Sequence, residues 1–201
     1  MRDAGNILDV ASLGPQYLGF IFYPKSPRFV GSDFKMPSGL PATIKRVGVF
    51  VNESNDLILE KHEHLNFDFV QLHGNESPST CAELKRAGIG IIKVFSVGGD
   101  FSFDSTESYK GIADYFLFDT KGKYYGGNAV PFDWKILEQY DQETPFFLSG
   151  GLSPENLDTL DDFLKMNIHA LDLNSGVETA PGMKDPERIK AILSRYGGKK
   201  Q

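Results

Sequence analysis

The sequence predicts an α/β fold, a (β/α)8 TIM barrel forming a single domain over residues 1–201, and three observations carry that prediction. Short runs of β-branched and aromatic residues recur along the chain, separated by helical signals, which is the signature of a mostly parallel sheet. Several runs are apolar almost without interruption, as in strands covered on both faces. Polar residues and glycines gather where these runs end, at Tyr23–Lys25, Asn52, His73, Asp119–Lys121, Ser149–Gly151 and Asn174–Gly176. An open doubly wound sheet shares the alternation, but the glycine fingerprint expected after its first strand is missing. In a barrel those strand ends form one active-site face.

The chain opens on an amphipathic helix. Asp3 is its expected N-cap, and Ala4, Ile7, Leu8 and Ala11 share a face. The strand runs follow at 18–23 (LGFIFY), 46–51 (RVGVFV), 68–73 (DFVQLH), 90–95 (GIIKVF), 114–119 (DYFLFD), 145–150 (PFFLSG) and 169–174 (HALDLN). Between them SPSTCAELKRAG offers Ser77 as N-cap, Pro78 at the first helical position and Gly88 as a stop. LSPENLDTLDDFLKM repeats this with Ser153 and Pro154, and Leu157, Leu160 and Leu164 share a face. KDPERIKAILSRYGG does so again with Asp185 and Pro186, then Ile189, Ile192, Leu193 and Tyr196. NDLILEKHEHL and FDWKILEQY are weaker helices, and Pro37 and Gly39 break any helix in 24–44. Each barrel helix follows a strand, yet the opening helix has none before it; strand one is expected to be missing from this chain.

Composition narrows the function. A net charge of −6 argues against nucleic acid as a partner, while leaving room for a small phosphorylated substrate held by backbone N–H groups. No apolar run approaches the ~20 residues of a membrane span. One cysteine and no basic-then-apolar leader fit a reducing, cytoplasmic setting. The NES sequons at Asn52 and Asn75 are then coincidental.

Two glycine turns, Gly150–Gly151 and Ser175–Gly176, end consecutive strands, where barrels often hold phosphate. Tight turns alone would also explain them. Asp119 in LFDTKG is either a general acid or a loop cap. His73 either meets substrate or hydrogen-bonds across strand ends. Arg28 either clamps a carboxylate or is a solvated loop arginine. Cys81 lies on a helix face with Leu84 and reads as a small core residue. His62 and His64, two apart in EKHEHL, do not share a helix face as metal ligands would.

GFIFYPKSPRFV, RVGVFVNE, VQLHGNE, LFDTK with GG and FDW behind it, FLSGGLSPEN and LDLNSGVETAPGMKD, in that order, resemble the phosphoribosylanthranilate isomerases of tryptophan biosynthesis over about residues 1–195. The resemblance implies an aldose–ketose isomerase with no cofactor or metal, a monomer or homodimer, performing an Amadori rearrangement. N-(5-phosphoribosyl)anthranilate becomes 1-(2-carboxyphenylamino)-1-deoxyribulose 5-phosphate: an acid protonates the ribose ring oxygen, the ring opens to a Schiff base, and a base removes the C2 proton. By resemblance Asp119 is the acid, Arg28 meets the anthranilate carboxylate, His73 lies at the pocket rim and Asp172 faces the ribose. Gly150, Gly151, Ser175 and Gly176 take the phosphate. Two departures stand out. The family's base is a cysteine in a Cys-Gly step ending strand one, and Met1 aligns just after that step, so the chain is expected to show little or no activity. The family's Gly-x-Gly-Lys-x-Phe-Asp-Trp turn reads GGNAVPFDW, with Ala129 and Val130 replacing the second glycine and the lysine. The rival expectation is a non-catalytic phosphosugar-binding barrel; another phosphate-binding barrel isomerase or epimerase fits the ordered motifs less well.

Overall fold

The computed structural model describes residues 1–120 and 134–196. Helix α1 (Ala4–Ala11) is capped by Asp3, whose side chain accepts from the Asn6 amide. The turn at Ala129 and Val130 lies outside the described residues.

Seven parallel strands follow in simple sequence order: β1 (Tyr17–Ile21), β2 (Lys45–Phe50), β3 (Phe69–Leu72), β4 (Gly90–Val97), β5 (Tyr115–Thr120), β6 (Phe146–Leu148) and β7 (Ile168–Leu171). Every sequence run expected to be a strand overlaps one, with its ends shifted by up to three residues. Each strand pairs with the next, from Tyr17 opposite Lys45 through Phe147 opposite Ala170. The sheet curls, leaving β1 and β7 as its two edges with no ladder between them among the described residues. At one end they approach closely, and the Tyr17 hydroxyl lies 2.6 Å from His169 Nε2.

Burial on both faces explains the apolar strands. Val47, Val49, Ile92, Val94, Leu117 and Phe147 pack inside the curl, with Tyr17, Phe69 and Tyr115 closing its lower end. Phe20, Phe50, Leu72, Ile91, Phe116 and Phe146 face outward. Against them pack Ile7 of α1, Ile58 of α2 (Asn55–Leu65), Leu84 of α3 (Pro78–Arg86) and Ile189 and Ile192 of α4 (Pro186–Tyr196). Leu8, placed on the apolar face by its spacing, is instead exposed; Val10 takes the buried position.

Two helices are corrected. LSPENLDTLDDFLKM gives only a 3₁₀ segment at Pro154–Leu160, and FDWKILEQY another at Trp134–Gln139. In the former, side chains compete with the helix for the backbone. Asn156 accepts from the Ser153 amide and donates to the Gly151 carbonyl, and Thr159 Oγ1 bonds the Asn156 carbonyl. Leu157 and Leu160 are buried nonetheless. NDLILEKHEHL, the weaker sequence signal, is a full helix because Ser54 caps it and Ile58 and Leu65 are buried. A short antiparallel hairpin, β8 (Glu178–Ala180) and β9 (Met183–Lys184), had no expected counterpart. It is tied to α1, since the Asn6 side-chain amide exchanges two 2.8 Å hydrogen bonds with the Lys184 backbone.

Candidate active site

Period-two alternation along the strands builds the site. Tyr115 and Leu117 face the interior of the curl, so Asp119, two residues on, faces the same way at its mouth. Phe147 directs Ser149 inward by the same rule, Ala170 directs Asp172, and Phe69 directs Gln71 and His73. These residues line one cavity of about 830 Å³ inside the curl. Its rim also carries Tyr23, Gly151, Asn174 and Ser175.

Ser149 Oγ sits between two carboxylates, 3.3 Å from Asp119 Oδ1 and 3.1 Å from Asp172 Oδ2. Asp119 Oδ1 also accepts from the Thr120 amide at 2.8 Å, and its Oδ2 lies 3.4 Å from His73 Nε2. The Gln71 side-chain nitrogen is 3.3 Å from His73 Nδ1. A donor on Nδ1 leaves the ring proton on Nε2, directed at Asp119. Burial raises the Asp172 carboxyl above the ordinary carboxylate range, and the nearby charge of Asp119 raises it further.

The loop carrying His73 is fixed from beneath. Lys93, 2 % exposed, donates to the Leu72 and Gly74 carbonyls and to Glu76 Oε2 at 2.9 Å. Glu76 accepts in turn from the Asn52 and Gly74 amides. Such a fully bonded buried pair holds one loop geometry, because breaking any part strands a charge.

The glycine turns pack on each other. Gly150 and Gly151 adopt positive φ (101° and 80°), which side chains resist. Gly176 lies so close to its neighbour that a Cβ would fall 2.0 Å from the Leu152 carbonyl oxygen. Gly151 and Ser175 line the cavity; Gly150 and Gly176 shape the turns behind them. Arg188 Nε secures the Gly176 carbonyl at 3.0 Å.

Arg28 is neither solvated nor part of the cavity lining. It is 7 % exposed, and Glu178 grips it through Nε (3.0 and 2.9 Å) and Nη2 (2.6 Å). Lys184 joins this group, donating to Glu178 Oε1 at 3.0 Å and to the carbonyl and side-chain oxygens of Asn174. Burial lowers the Lys184 ammonium, while Glu178, which burial alone would raise, is held below its usual value by Arg28 and Lys184. Sequence reasoning missed Ser149 as a partner of both aspartates, although its inward parity was readable from Phe147. It also missed Glu178 and Lys184, whose meeting depends on the hairpin at Pro181–Gly182.

Cys81 is fully buried on α3, and burial pushes its thiol up to about 11. His62 and His64 lie on α2, away from the cavity.

A sequence profile of N-(5'-phosphoribosyl)anthranilate (PRA) isomerase matches residues 1–195. The chain belongs to this isomerase family. It is 43% identical over 201 residues to the N-(5'-phosphoribosyl)anthranilate isomerase of Phocaeicola vulgatus, covering all of this chain and 97% of that one. Among solved structures, the phosphoribosylanthranilate isomerase of Thermotoga maritima superposes with a TM-score of 0.82 at 32% identity, over 98% of this chain and 96% of that one. Another isomerase structure, in complex with reduced 1-(o-carboxyphenylamino)-1-deoxyribulose 5-phosphate, matches with a TM-score of 0.78 at 30% identity, over 98% and 95%. No helix among the described residues is long and apolar enough to cross a membrane.

Proposed function

We propose that this cavity binds N-(5-phosphoribosyl)anthranilate and carries out its Amadori rearrangement, with Asp119 as the acid that protonates the ribose ring oxygen. The observation behind this reading is the convergence of Asp119, Asp172, Ser149 and His73 on the inner wall of one cavity, in a chain of this family. The phosphate is assigned to the rim at Gly151 and Ser175, with Gly150 and Gly176 permitting the turns. Asp172 faces the ribose beside Asp119, and His73, at the end of β3 two strands away, orients Asp119. Arg28 lies outside the cavity lining with Nε and Nη2 held by Glu178, so the anthranilate carboxylate contact assigned to it by resemblance would have to use Nη1. Once the ring oxygen is protonated, the anthranilate nitrogen lone pair forms the C1=N bond as the ring C–O bond breaks. Removal of the C2 proton then gives the enolamine that becomes the ketone. Among the described residues no cysteine lines the cavity, and this last step is assigned no base here.

The test is turnover followed by loss of anthranilate-type fluorescence. Asp119→Asn is expected to lower whatever rate the wild-type chain shows by about 10²–10⁴, without changing KM more than a few-fold. An unchanged rate would remove Asp119 from the acid role.

A further inference from the structure

A hydroxyl carries one hydrogen. Ser149 Oγ stands within hydrogen-bonding distance of Asp119 and Asp172 at once, so it can donate to only one of them. Two ionised carboxylates would leave its second contact an unfavourable meeting of lone pairs. A single added proton satisfies both contacts: one carboxyl donates to Ser149, and Ser149 donates to the other. The surroundings decide which carboxyl keeps it. Asp119 already accepts from the Thr120 amide and faces His73 Nε2, so it is furnished with donors at both oxygens. Asp172 makes its side-chain hydrogen bond through Ser149.

We infer that Asp119, Ser149 and Asp172 hold one shared proton, resting on Asp172 and passed through the Ser149 hydroxyl to Asp119, and that Ser149 and Asp172 are therefore positioning residues for the acid. This deepens the reading of Asp119 given above and rests on it.

The transfer balances. The Asp172 O–H bond breaks as its proton goes to Ser149 Oγ, and the Ser149 O–H bond breaks as its own proton goes to Asp119 Oδ1. Asp119 then gives that proton to the ring oxygen. The rearrangement consumes no proton overall, so the one taken from C2 returns to water, and water recharges Asp172. Among the described residues, the titratable groups facing the pair are His73 at the end of β3, beside Asp119, and Lys184 of β9, near Asp172. Lys184 opposes retention of the proton, but Glu178 and Asn174 occupy its ammonium group. The upward displacement of the Asp172 carboxyl by burial and by Asp119 agrees with this resting place.

The experiment is a ¹³C NMR titration of the full chain labelled at aspartate carboxyls, with Asp119→Asn and Asp172→Asn to assign the two signals. In the wild type the two carboxyls are expected to titrate as a linked pair, Asp172 remaining protonated well above the ordinary carboxylate range. Ser149→Ala should weaken their linkage to what the two charges impose through space, and Ser149→Thr, which keeps the hydroxyl, should restore the wild-type curve. In Asp172→Asn the amide replaces the donated proton, and Asp119 should titrate in one simple step. An ordinary, independent titration of Asp172 in the wild type overturns the inference, as does a Thr variant that behaves like the Ala variant. Binding of reduced 1-(o-carboxyphenylamino)-1-deoxyribulose 5-phosphate, measured on the same samples, separates the two levels. Binding with independent carboxyls rejects only the shared proton, whereas linked carboxyls without binding reject the substrate assignment.

Discussion

Replacing Glu178 with Gln tests how the rim is held. Its carboxylate receives Nε and Nη2 of Arg28, Nζ of Lys184 and the Gly182 amide, and its side chain is only 4 % exposed. Glutamine preserves the shape but removes the charge, leaving two buried cations facing each other across a neutral amide. Breaking a buried pair by removing one partner costs about 3–5 kcal/mol. For a chain of this size, at about 2–4 °C per kcal/mol, that corresponds to a fall in Tm of about 6–20 °C. Lys184→Met in the same chain removes one of the stranded charges, so the double variant should lose less than the sum of the singles, by about 0.5–3 kcal/mol. The pH dependence has a fixed sign. Glu178 titrates below its usual value in the folded protein, so its stabilisation is present above the unfolded value of about 4.3 and fades as pH falls through the folded one. The deficit of the Gln variant should therefore shrink below about pH 4. Urea denaturation monitored by fluorescence measures the loss, the coupling and the pH dependence, and a thermal melt measures the fall in Tm. A loss under about 1 kcal/mol, the worth of an exposed pair, would refute the reasoning.

Gly176→Ala should weaken binding of the reduced product analogue at least about tenfold and destabilise the chain by about 1–3 kcal/mol, because its methyl meets the Leu152 carbonyl; calorimetry and denaturation check the two effects. Asp172→Asn should stabilise the chain at neutral pH. A carboxyl raised in the folded state loses stability as pH climbs from its unfolded to its folded value, so the variant's advantage should grow through that window and then level off, and urea midpoints at several pH values would show it. Cys81 should react with a thiol reagent at pH 8 only as fast as the protein opens, since its thiol is buried and pushed up to about 11; a rate independent of urea at low denaturant would contradict this.

The barrel was legible because its strands announce themselves twice, by β-branched runs and by polar residues at their ends. Asp119 and His73 were marked as polar residues at strand ends and Asp172 by the family resemblance, and all three line the cavity. Helix extent was less readable. The Ser-Pro start at 153–154 resembles those of the true helices, but Asn156 redirects its hydrogen bonds to Ser153 and Gly151, a competition that no spacing rule registers. Arg28 shows the other limit. Its sequence context marks it as a strand-end cation, but its partner Glu178 lies 150 positions away and is brought to it by the β8–β9 hairpin. Ser149 was hidden for a third reason: serine in a glycine turn reads as turn chemistry, and its bridging role exists only once β5, β6 and β7 are side by side.

Calorimetric titration with reduced 1-(o-carboxyphenylamino)-1-deoxyribulose 5-phosphate tests the assignment of the cavity most directly, comparing the wild-type chain with Ser175→Glu. One saturable site is expected in the wild type. A carboxylate placed at the rim to which the phosphate is assigned should weaken it by about a hundredfold or more, as a like charge at several kcal/mol would. No binding to the wild type, or equal affinity in the two chains, would contradict the assignment.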